Sequence, residues 1–396
     1  MIFNKNLVYI TIGVLLEKAL PFIISFFFIK QIDDLDYGIW ILYFQIVIIF
    51  SSTILSPVQL FFNREFEKNS NESINLYNFK IILSILLISF ISYLVLGNSI
   101  FIHSFLGLIT ILTLTLNNLV FNFLRFAGKN FFYFLFSLAR TFIFISLLIY
   151  FVFENDSLSI EHLFYSYIFS NLLVILVYLK KINLKFNSYK TKEFLRLVIY
   201  GILTISFGGL DKLILLETNL DLKDLAVMGY ALVFAGSTNV IVEGFKKYFS
   251  PIYFNDFRKY NFYTPETISK TIKAILFLFV VQISFPFILF FLMDSFSLIK
   301  QSLIYNNFFY LILVFSLSLF IYNIYHFSNP YIFFKNKSHI LSALLIIVGL
   351  SFIILVLKIE EINLIQLAYV KLLTTVILAF GTLLISIFYK TKNYAK

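Results

Sequence analysis

Seven ionisable residues stand inside long apolar runs, where few should be found: Glu17, Lys18, Arg140, Asp211, Lys212, Glu243 and Lys371. Two runs carry an acid and a base side by side, Glu17-Lys18 in TIGVLLEKALPF and Asp211-Lys212 in ISFGGLDKLILL. At the centre of a bilayer each such charge costs about 2.5–3.5 kcal/mol on insertion scales. They must face one another or a hydrated interior. Adjacent residues on a helix do not face each other, so neither acid is well placed to neutralise its neighbour. Each needs a partner on another element. Two roles are open for the acids Glu17, Asp211 and Glu243. They close interhelical salt bridges, or they line a cavity where they balance charge or couple a proton or sodium ion. Arg140 and Lys371 have no acid close by in sequence, and Arg and Lys are the side chains that hold phosphates and other anions. These bases read as an anion-binding lining.

Neighbouring polar residues fall on the same helical faces. Thr115, Asn118, Asn122 and Arg125 form one stripe, and Gly236, Asn239, Glu243 and Lys246 another. Ser137 shares a face with Arg140, Lys371 with Thr374 and Thr375, and Thr204 and Gly208 with Asp211. The stripes come from both halves of the chain, as one cavity between two lobes requires.

The elements that carry them are membrane helices. The chain is 60% hydrophobic and 13% charged, with a mean hydropathy of +0.91. Its apolar residues come in runs of about 20, the length that spans a bilayer. A β-barrel would show alternating segments of about 10 residues instead. The fold class expected is all-α, a polytopic membrane protein of about 12 transmembrane helices in two six-helix lobes around a central cavity. The spans lie near 8–29, 39–62, 79–97, 101–124, 130–153, 162–179, 197–217, 226–250, 272–292, 304–326, 340–357 and 363–389.

Charge distribution sets the orientation. With the N-terminus and the even-numbered connections on the cytoplasmic side, that side holds 23 Lys and Arg against 4 on the other. Both termini are expected in the cytoplasm. The net charge of +10 is thereby mostly topology, and a nucleic-acid partner is not expected. Lys5 is followed by an apolar run that carries Glu17 and Lys18 and shows no small-residue cleavage site, so it reads as a retained first helix. The two longest connections, 180–196 and 251–271, are both cytoplasmic, which leaves no extracytoplasmic domain to hold a catalytic site; the protein is not expected to be an enzyme.

The sequence has no cysteine, which excludes disulfides and thiolate chemistry. Its four histidines show no metal-ligand spacing, and no phosphate loop, HExxH or GxSxG occurs. No metal or cofactor is expected. The 53 Phe and 25 Tyr accompany abundant Ile, Lys and Asn, the mark of a biased composition rather than of a sugar-stacking surface. Pro21, Pro57 and Pro286 interrupt spans, and Pro251 ends one.

The halves repeat. Leu16-Glu17-Lys18 precedes an acidic turn and DLDYGIWIL; Leu210-Asp211-Lys212 precedes DLKDLAVMGYAL. The offset is 194 residues (211 minus 17), close to half of 396. Six spans per half is an even number, so the halves share orientation, as in transporters with parallel repeats. The expected domains are 1–196, an N-terminal six-helix lobe with its cytoplasmic linker, and 197–396, the C-terminal lobe.

The turn Asp34-Leu35-Asp36-Tyr37-Gly38-Ile39-Trp40, the basic turn Leu124-Arg125-Phe126-Ala127-Gly128-Lys129, Leu210-Asp211-Lys212-Leu213, Met228-Gly229-Tyr230-Ala231 and Phe249-Ser250-Pro251 carry a resemblance. The chain resembles the Wzx-type O-antigen and capsular polysaccharide flippases of the multidrug/oligosaccharidyl-lipid/polysaccharide (MATE/MOP) exporter superfamily, across nearly its whole length. It departs from them at Lys212, where an Arg is common. The resemblance implies a flippase of the bacterial inner membrane that moves undecaprenyl-diphosphate-linked oligosaccharide repeat units by alternating access. It implies that Lys18, Arg125, Arg140, Lys212 and Lys371 contact the anionic cargo, and that Glu17, Asp211 and Glu243 balance charge or couple H+ or Na+. The implied partners are the lipid-linked oligosaccharide, membrane lipids, and the polysaccharide polymerase and chain-length proteins. Other functions stay open: a cation-coupled multidrug exporter, in which acids would dominate the cavity, and a membrane polymerase or glycosyltransferase, which would need a sizeable extracytoplasmic loop.

Overall fold

The computed structural model describes residues 5–65, 74–76, 101–126, 128–178, 180, 182–184, 191–214, 218, 220–239, 263–304, 307–334 and 337–394, with Ile241, Val242, Phe245, Phe249, Tyr253, Asp256, Lys259 and Tyr260 besides. Helices dominate: α1 (Lys5–Ile23), α2 (Asp34–Glu65), α3 (Phe101–Phe126), α4 (Asn130–Asn155), α5 (Ile160–Tyr178), α6 (Thr191–Ile214), α7 (Leu222–Gly236), α8 (Pro265–Ser295), α9 (Phe308–Phe334), α10 (Ser338–Leu357) and α11 (Leu364–Tyr394). Among the described residues seven helices, α3–α5 and α8–α11, are long and apolar enough to cross a membrane. They fall on predicted spans four to six and nine to twelve. The predicted third span, 79–97, lies outside the described residues.

The helices are polar inside and apolar outside. On α4 the buried face is Asn130, Tyr133, Ser137, Arg140, Thr141, Phe144 and Leu148. The opposite face exposes Phe131, Leu135, Leu138, Phe142, Ile149 and Phe153. Water would select the reverse; hydrocarbon requires this arrangement, because a charge or hydroxyl facing lipid finds no partner. The protein is an all-α polytopic membrane protein.

Two short strands depart from helix. The identical Ile-Asn-Leu triplets β1 (Ile74–Leu76) and β2 (Ile182–Leu184) pair in parallel, with Ile74 opposite Ile182 and Leu76 opposite Leu184. Three residues are too few for alternation to register in a sequence.

Contacts divide the chain into two units, Met1–Gly209 and Leu210–Lys396, and the divide falls inside α6. In the first unit α1 packs along α4, α3 along α5 and α2, and α4 along α5. Gly13 permits the first of these approaches: a Cβ there would lie 2.5 Å from Cε1 of Tyr133. Past Glu17 the helix is interrupted. Pro21 has no N–H to give the carbonyl four residues back, which is that of Glu17. The chain widens into a π-helix over Ile24–Phe28 and tightens into a 3-10 turn over Ile29–Gln31. Ser25 donates to the Pro21 carbonyl at 2.9 Å, and its hydroxyl meets that of the buried Tyr37 at 2.8 Å. Between α3 and α4, Gly128 takes φ 68°, and Lys129 N–H donates back to the Leu124 carbonyl at 2.8 Å, closing the end of α3.

In the second unit α9 is central, packing on α11, α7 and α8, while α10 packs on α11. The buried Gln282 of α8 donates to the Ala235 carbonyl of α7 at 2.7 Å. Helix starts are capped. Asp221 and Asp224 form a reciprocal capping box on α7, and Thr264 caps α8. Asp256 fastens the preceding segment to that cap, its Oδ2 accepting from the Thr264 amide and hydroxyl, both at 3.0 Å. Burial by itself would raise the Asp256 pKa. Hydrogen bonds from the Thr264 amide and the Thr267 and Thr264 hydroxyls, with Lys259 nearby, outweigh it and hold the carboxyl below its usual range.

Candidate functional site

Each unit encloses a cluster of charged side chains, and the clusters differ in composition. In the first unit the cluster is built on the buried face of α4. Tyr133, Ser137 and Arg140 recur at helical spacing, so one face presents all three inward. Tyr133 lies against Gly13 of α1 and donates to Glu17 Oε2 at 2.6 Å, one turn further along the same helix. That is the short geometry of a hydroxyl bonded to a carboxylate. Thr141 donates to the Ser137 carbonyl at 2.9 Å and to the Leu16 carbonyl across the α1–α4 seam at 3.3 Å.

Arg140 is 2% exposed. Its guanidinium lies within electrostatic reach of Glu17, Tyr133 and Tyr167. Tyr167 comes from α5 and is walled by Trp40 and Phe44 of α2 and Phe144 of α4, with ring centroids 5.5, 5.0 and 4.8 Å away. Asn171 follows one turn later, fully buried. Arg140 Nε and Nη1, the Tyr167 hydroxyl and both amide atoms of Asn171 have no hydrogen-bond partner among the described residues. Buried donors of this kind call for water or a small polar ligand.

In the second unit the cluster joins α6 to α11. Lys371 Nζ lies 3.6 Å from Asp211 Oδ1, and both side chains are almost wholly buried, at 9% and 3% exposure. The ammonium also stands 5.6 Å from the centroid of the Phe352 ring on α10. Lys212 is the next residue and lies within electrostatic reach of both Asp211 and Lys371. Thr374 and Thr375 are buried beside them. Thr374 donates to the Val370 carbonyl at 2.9 Å, Thr375 to that of Lys371, and the Thr375 hydroxyl meets Ser318 of α9 at 2.9 Å. Two ammonium groups thus lie within electrostatic reach of one buried carboxylate.

The structure brings together two groups of the sequence-predicted residues, Glu17 with Arg140, and Asp211 with Lys212 and Lys371. Lys371 has no acid near it in sequence but has one in space. Lys18 lies on α1 and Arg125 on α3, with their side chains outside the described residues; Glu243 is outside them altogether. Of the α3 stripe, Thr115 and Asn122 are buried and Asn118 partly so. Tyr133, Tyr167 and Asn171 were not expected to take part. Tyr133 could have been found from its place four residues before Ser137 and seven before Arg140. Tyr167 carries no such signal among 25 tyrosines.

The fold is that of MATE transporters of the MOP superfamily. The chain matches the eukaryotic MATE transporter AtDTX14 with a TM-score of 0.66 and 15% identity, over 97% of this chain and 95% of that one. It matches an outward-facing multidrug resistance MATE family transporter with a TM-score of 0.60 and 13% identity, over 98% and 96%. A MATE in the straight conformation gives 0.59 and 12%, over 99% and 96%. No protein-family model matches the sequence, and no curated protein does. At these identities the likeness is one of fold.

Proposed function

We propose that the protein is a flippase that carries undecaprenyl-diphosphate-linked oligosaccharide repeat units across the bacterial inner membrane for O-antigen or capsular polysaccharide synthesis. The observation that carries this reading is the second-unit cluster, where Lys371 and Lys212 gather around the carboxylate of Asp211 inside an apolar bundle. Paired ammonium groups in low dielectric form an anion-binding device, and a prenyl diphosphate is an anion whose tail belongs in lipid. Lys18, Arg125, Arg140, Lys212 and Lys371 are the groups proposed to meet phosphate or acidic sugar during transit. Glu17, Asp211 and Glu243 balance their charge or couple H+ or Na+.

Alternating access needs an element that bends. MATE structures among the neighbours are described as straight and bent, and one carries a proline substitution. In this chain the first helix, broken after Pro21, is the element proposed to serve. A second reading, export of small molecules by cation coupling, is favoured by the multidrug resistance transporter among the structural neighbours and by Glu17, an acid bonded within the bundle.

Deleting the gene and analysing lipid-linked intermediates tests the first reading. Loss of surface polysaccharide with repeat units trapped on the cytoplasmic leaflet is expected. Normal translocation with unpolymerised units outside would refute it in favour of a polymerase. Arg140→Ala and Lys371→Ala should each impair complementation of the deletion at normal protein levels; full activity in both would overturn the anion-binding assignment.

A further inference from the structure

Three helices of the first unit bring unpaired polar atoms to one level. Asn117 of α3 and Asn171 of α5 are fully buried, and the amide atoms of both have no hydrogen-bond partner among the described residues. The same holds for Nε and Nη1 of Arg140 and for the Tyr167 hydroxyl. Ring contacts fix their depth. Helix α4 turns back on α3 at Gly128 and runs against α5, so α3 and α5 run the same way. Phe123 of α3 meets Tyr178 of α5 with centroids 6.4 Å apart. Asn117 lies six residues before Phe123 and Asn171 seven before Tyr178, about 9 and 10.5 Å along the two helices. On α4, Phe136 meets Tyr178 at 5.6 Å and Phe144 meets Tyr167 at 4.8 Å. Arg140 stands midway between those two phenylalanines, which sets it at the level of Asn171. The faces agree as well. Asn117 is one turn before Phe121, whose ring meets Tyr133 of α4 at 5.3 Å, and Asn171 is one turn after Tyr167, so both amides lie on the side of α4.

We propose that Asn117, Arg140, Tyr167 and Asn171 form a binding site for uncharged hydroxyl groups: water, or the hydroxyls of a sugar that displaces it. Charge selects against ions. The carboxylate of Glu17 lies within electrostatic reach of Arg140, so a bound anion is opposed by the acid and a bound cation by the guanidinium. The atoms on offer select further. However the amides are turned, each asparagine presents a donor group and an acceptor; the guanidinium only donates, and the phenol does either. A halide or a phosphate would answer the donors and leave two amide oxygens buried and unpaired, which is costly. A hydroxyl both donates and accepts, and a buried water makes about three hydrogen bonds to groups of this kind. Only the sugar as a source of the hydroxyl rests on the flippase reading.

Radiolytic footprinting tests this on the purified full-length protein in nanodiscs of zwitterionic lipid. Hydroxyl radicals made from water by an X-ray pulse oxidise a buried side chain where water is held beside it. Tyr167 should be oxidised several-fold faster than Tyr37, which is as deeply buried but has its hydroxyl bonded to that of Ser25. The exposed Tyr150 normalises the dose. Asn117→Leu and Asn171→Leu should each slow Tyr167 toward the rate of Tyr37 and lower the melting temperature; at a dry site, removing unpaired polar atoms would raise it. The wild-type comparison decides whether or not these variants fold. Glucose titrated into the wild-type protein separates the sources. A fall in Tyr167 oxidation relative to Tyr150 that Asn117→Leu abolishes identifies the sugar hydroxyl, and no fall identifies water. Tyr167 as protected as Tyr37, or a raised melting temperature in both asparagine variants, overturns the proposal. So does protection of Tyr167 by bromide or inorganic pyrophosphate that Arg140→Gln abolishes, which would make the occupant an anion. If Tyr167 is oxidised as stated while the deletion strain translocates repeat units normally, the site stands and the flippase reading fails. A protected Tyr167 alongside trapped repeat units fails the site alone.

Discussion

Gly13→Ala tests whether the α1–α4 seam is as close as the first-unit cluster needs. The added methyl would sit 2.5 Å from Cε1 and 2.8 Å from Cδ1 of Tyr133. Ordinary carbon contacts need about 3.5–4.0 Å, so the ring must retreat by about 1 Å. The ring is not free to do so, because its hydroxyl donates to Glu17 Oε2 at 2.6 Å and Phe121 packs edge-on at 5.3 Å. A retreat of that size takes the hydroxyl beyond hydrogen-bond range. Overpacking costs about 1–3 kcal/mol, and losing a hydrogen bond to a charged group about 1.5–3 kcal/mol. The two share one cause and do not simply add. A loss of about 3 kcal/mol corresponds to a fall in melting temperature of several degrees in a chain this size. Thermal unfolding in detergent at fixed scan rate measures it. Tyr133→Phe should lose only the hydrogen-bond part. In a Tyr133→Ala background the ring is gone, and Gly13→Ala should then cost almost nothing. If Gly13→Ala costs as much in the Tyr133→Ala background as in the wild-type protein, the clash is not the mechanism and the seam is looser than described.

Lys371→Gln removes the nearest cation from the buried carboxylate of Asp211 but leaves Lys212 within electrostatic reach of it, so it should destabilise by less than the roughly 3–5 kcal/mol of a stranded buried charge, and Asp211→Asn/Lys371→Gln, which deprives Lys212 of that carboxylate, should not recover the loss; melting temperatures of the two decide it. Pro21→Ala restores an N–H to the carbonyl of Glu17 and should favour regular helix through Ile24–Phe28, with melting temperature equal or higher and complementation of the deletion slower; faster complementation would refute α1 bending as part of the cycle. Asp256 has a depressed folded pKa, so its contribution to stability is present above the unfolded value of about 3.9 and is lost as pH falls through the lower folded value. Asp256→Asn should therefore destabilise at pH 7 by an amount that shrinks in acid; a constant difference across that range would contradict the role assigned to the Thr264 cap.

The backbone was legible because apolar runs of membrane length carry their own period and charge asymmetry. Predicted spans four to six and nine to twelve correspond to α3–α5 and α8–α11, though α8, α9 and α11 run on past their predicted spans by five to eight residues at one end. The third span and Glu243 itself lie outside the described residues. The polar faces were legible for the same geometric reason, since residues three or four apart on a helix must share a side: Ser137 with Arg140, and Lys371 with Thr374 and Thr375, are buried together. What helical spacing does not encode is the partner on another element. Lys371 and Asp211 are 160 positions apart (371 minus 211), and only the fold of the second unit brings them within 3.6 Å. Tyr133 is a further case, because a hydroxyl that reaches a carboxylate on α1 looks in sequence like any other aromatic in an aromatic-rich chain. The repeat shows both sides of this. Each half places an acidic turn before its second helix and a fully buried tyrosine beside a glycine in that helix, Tyr37 and Tyr230. Yet Glu17 lies within reach of Arg140 on the helix at predicted span five, and Asp211 pairs with a lysine on the helix at predicted span twelve, the sixth of its half.

That shift of partner gives the two clusters different net charge. Among the described residues Glu17 and Arg140 cancel, with Tyr133 and Tyr167 supplying neutral polar contact. Asp211, Lys212 and Lys371 together sum to one positive charge. Glu17 opposes an anion at Arg140 one for one, so Arg140 should hold a phosphate more weakly than the two lysines of the second cluster do. The proposed labour therefore divides by unit: tight anion capture with Lys371 and Lys212, and weaker contact at Arg140 during transit with charge balance or ion coupling by Glu17. The division can be tested by neutralising one cation at a time. Arg140→Gln should leave pyrophosphate affinity within a few-fold of wild type while impairing transport, and Lys371→Gln should impair both. If Arg140→Gln weakens pyrophosphate binding as much as Lys371→Gln does, the division by unit is wrong.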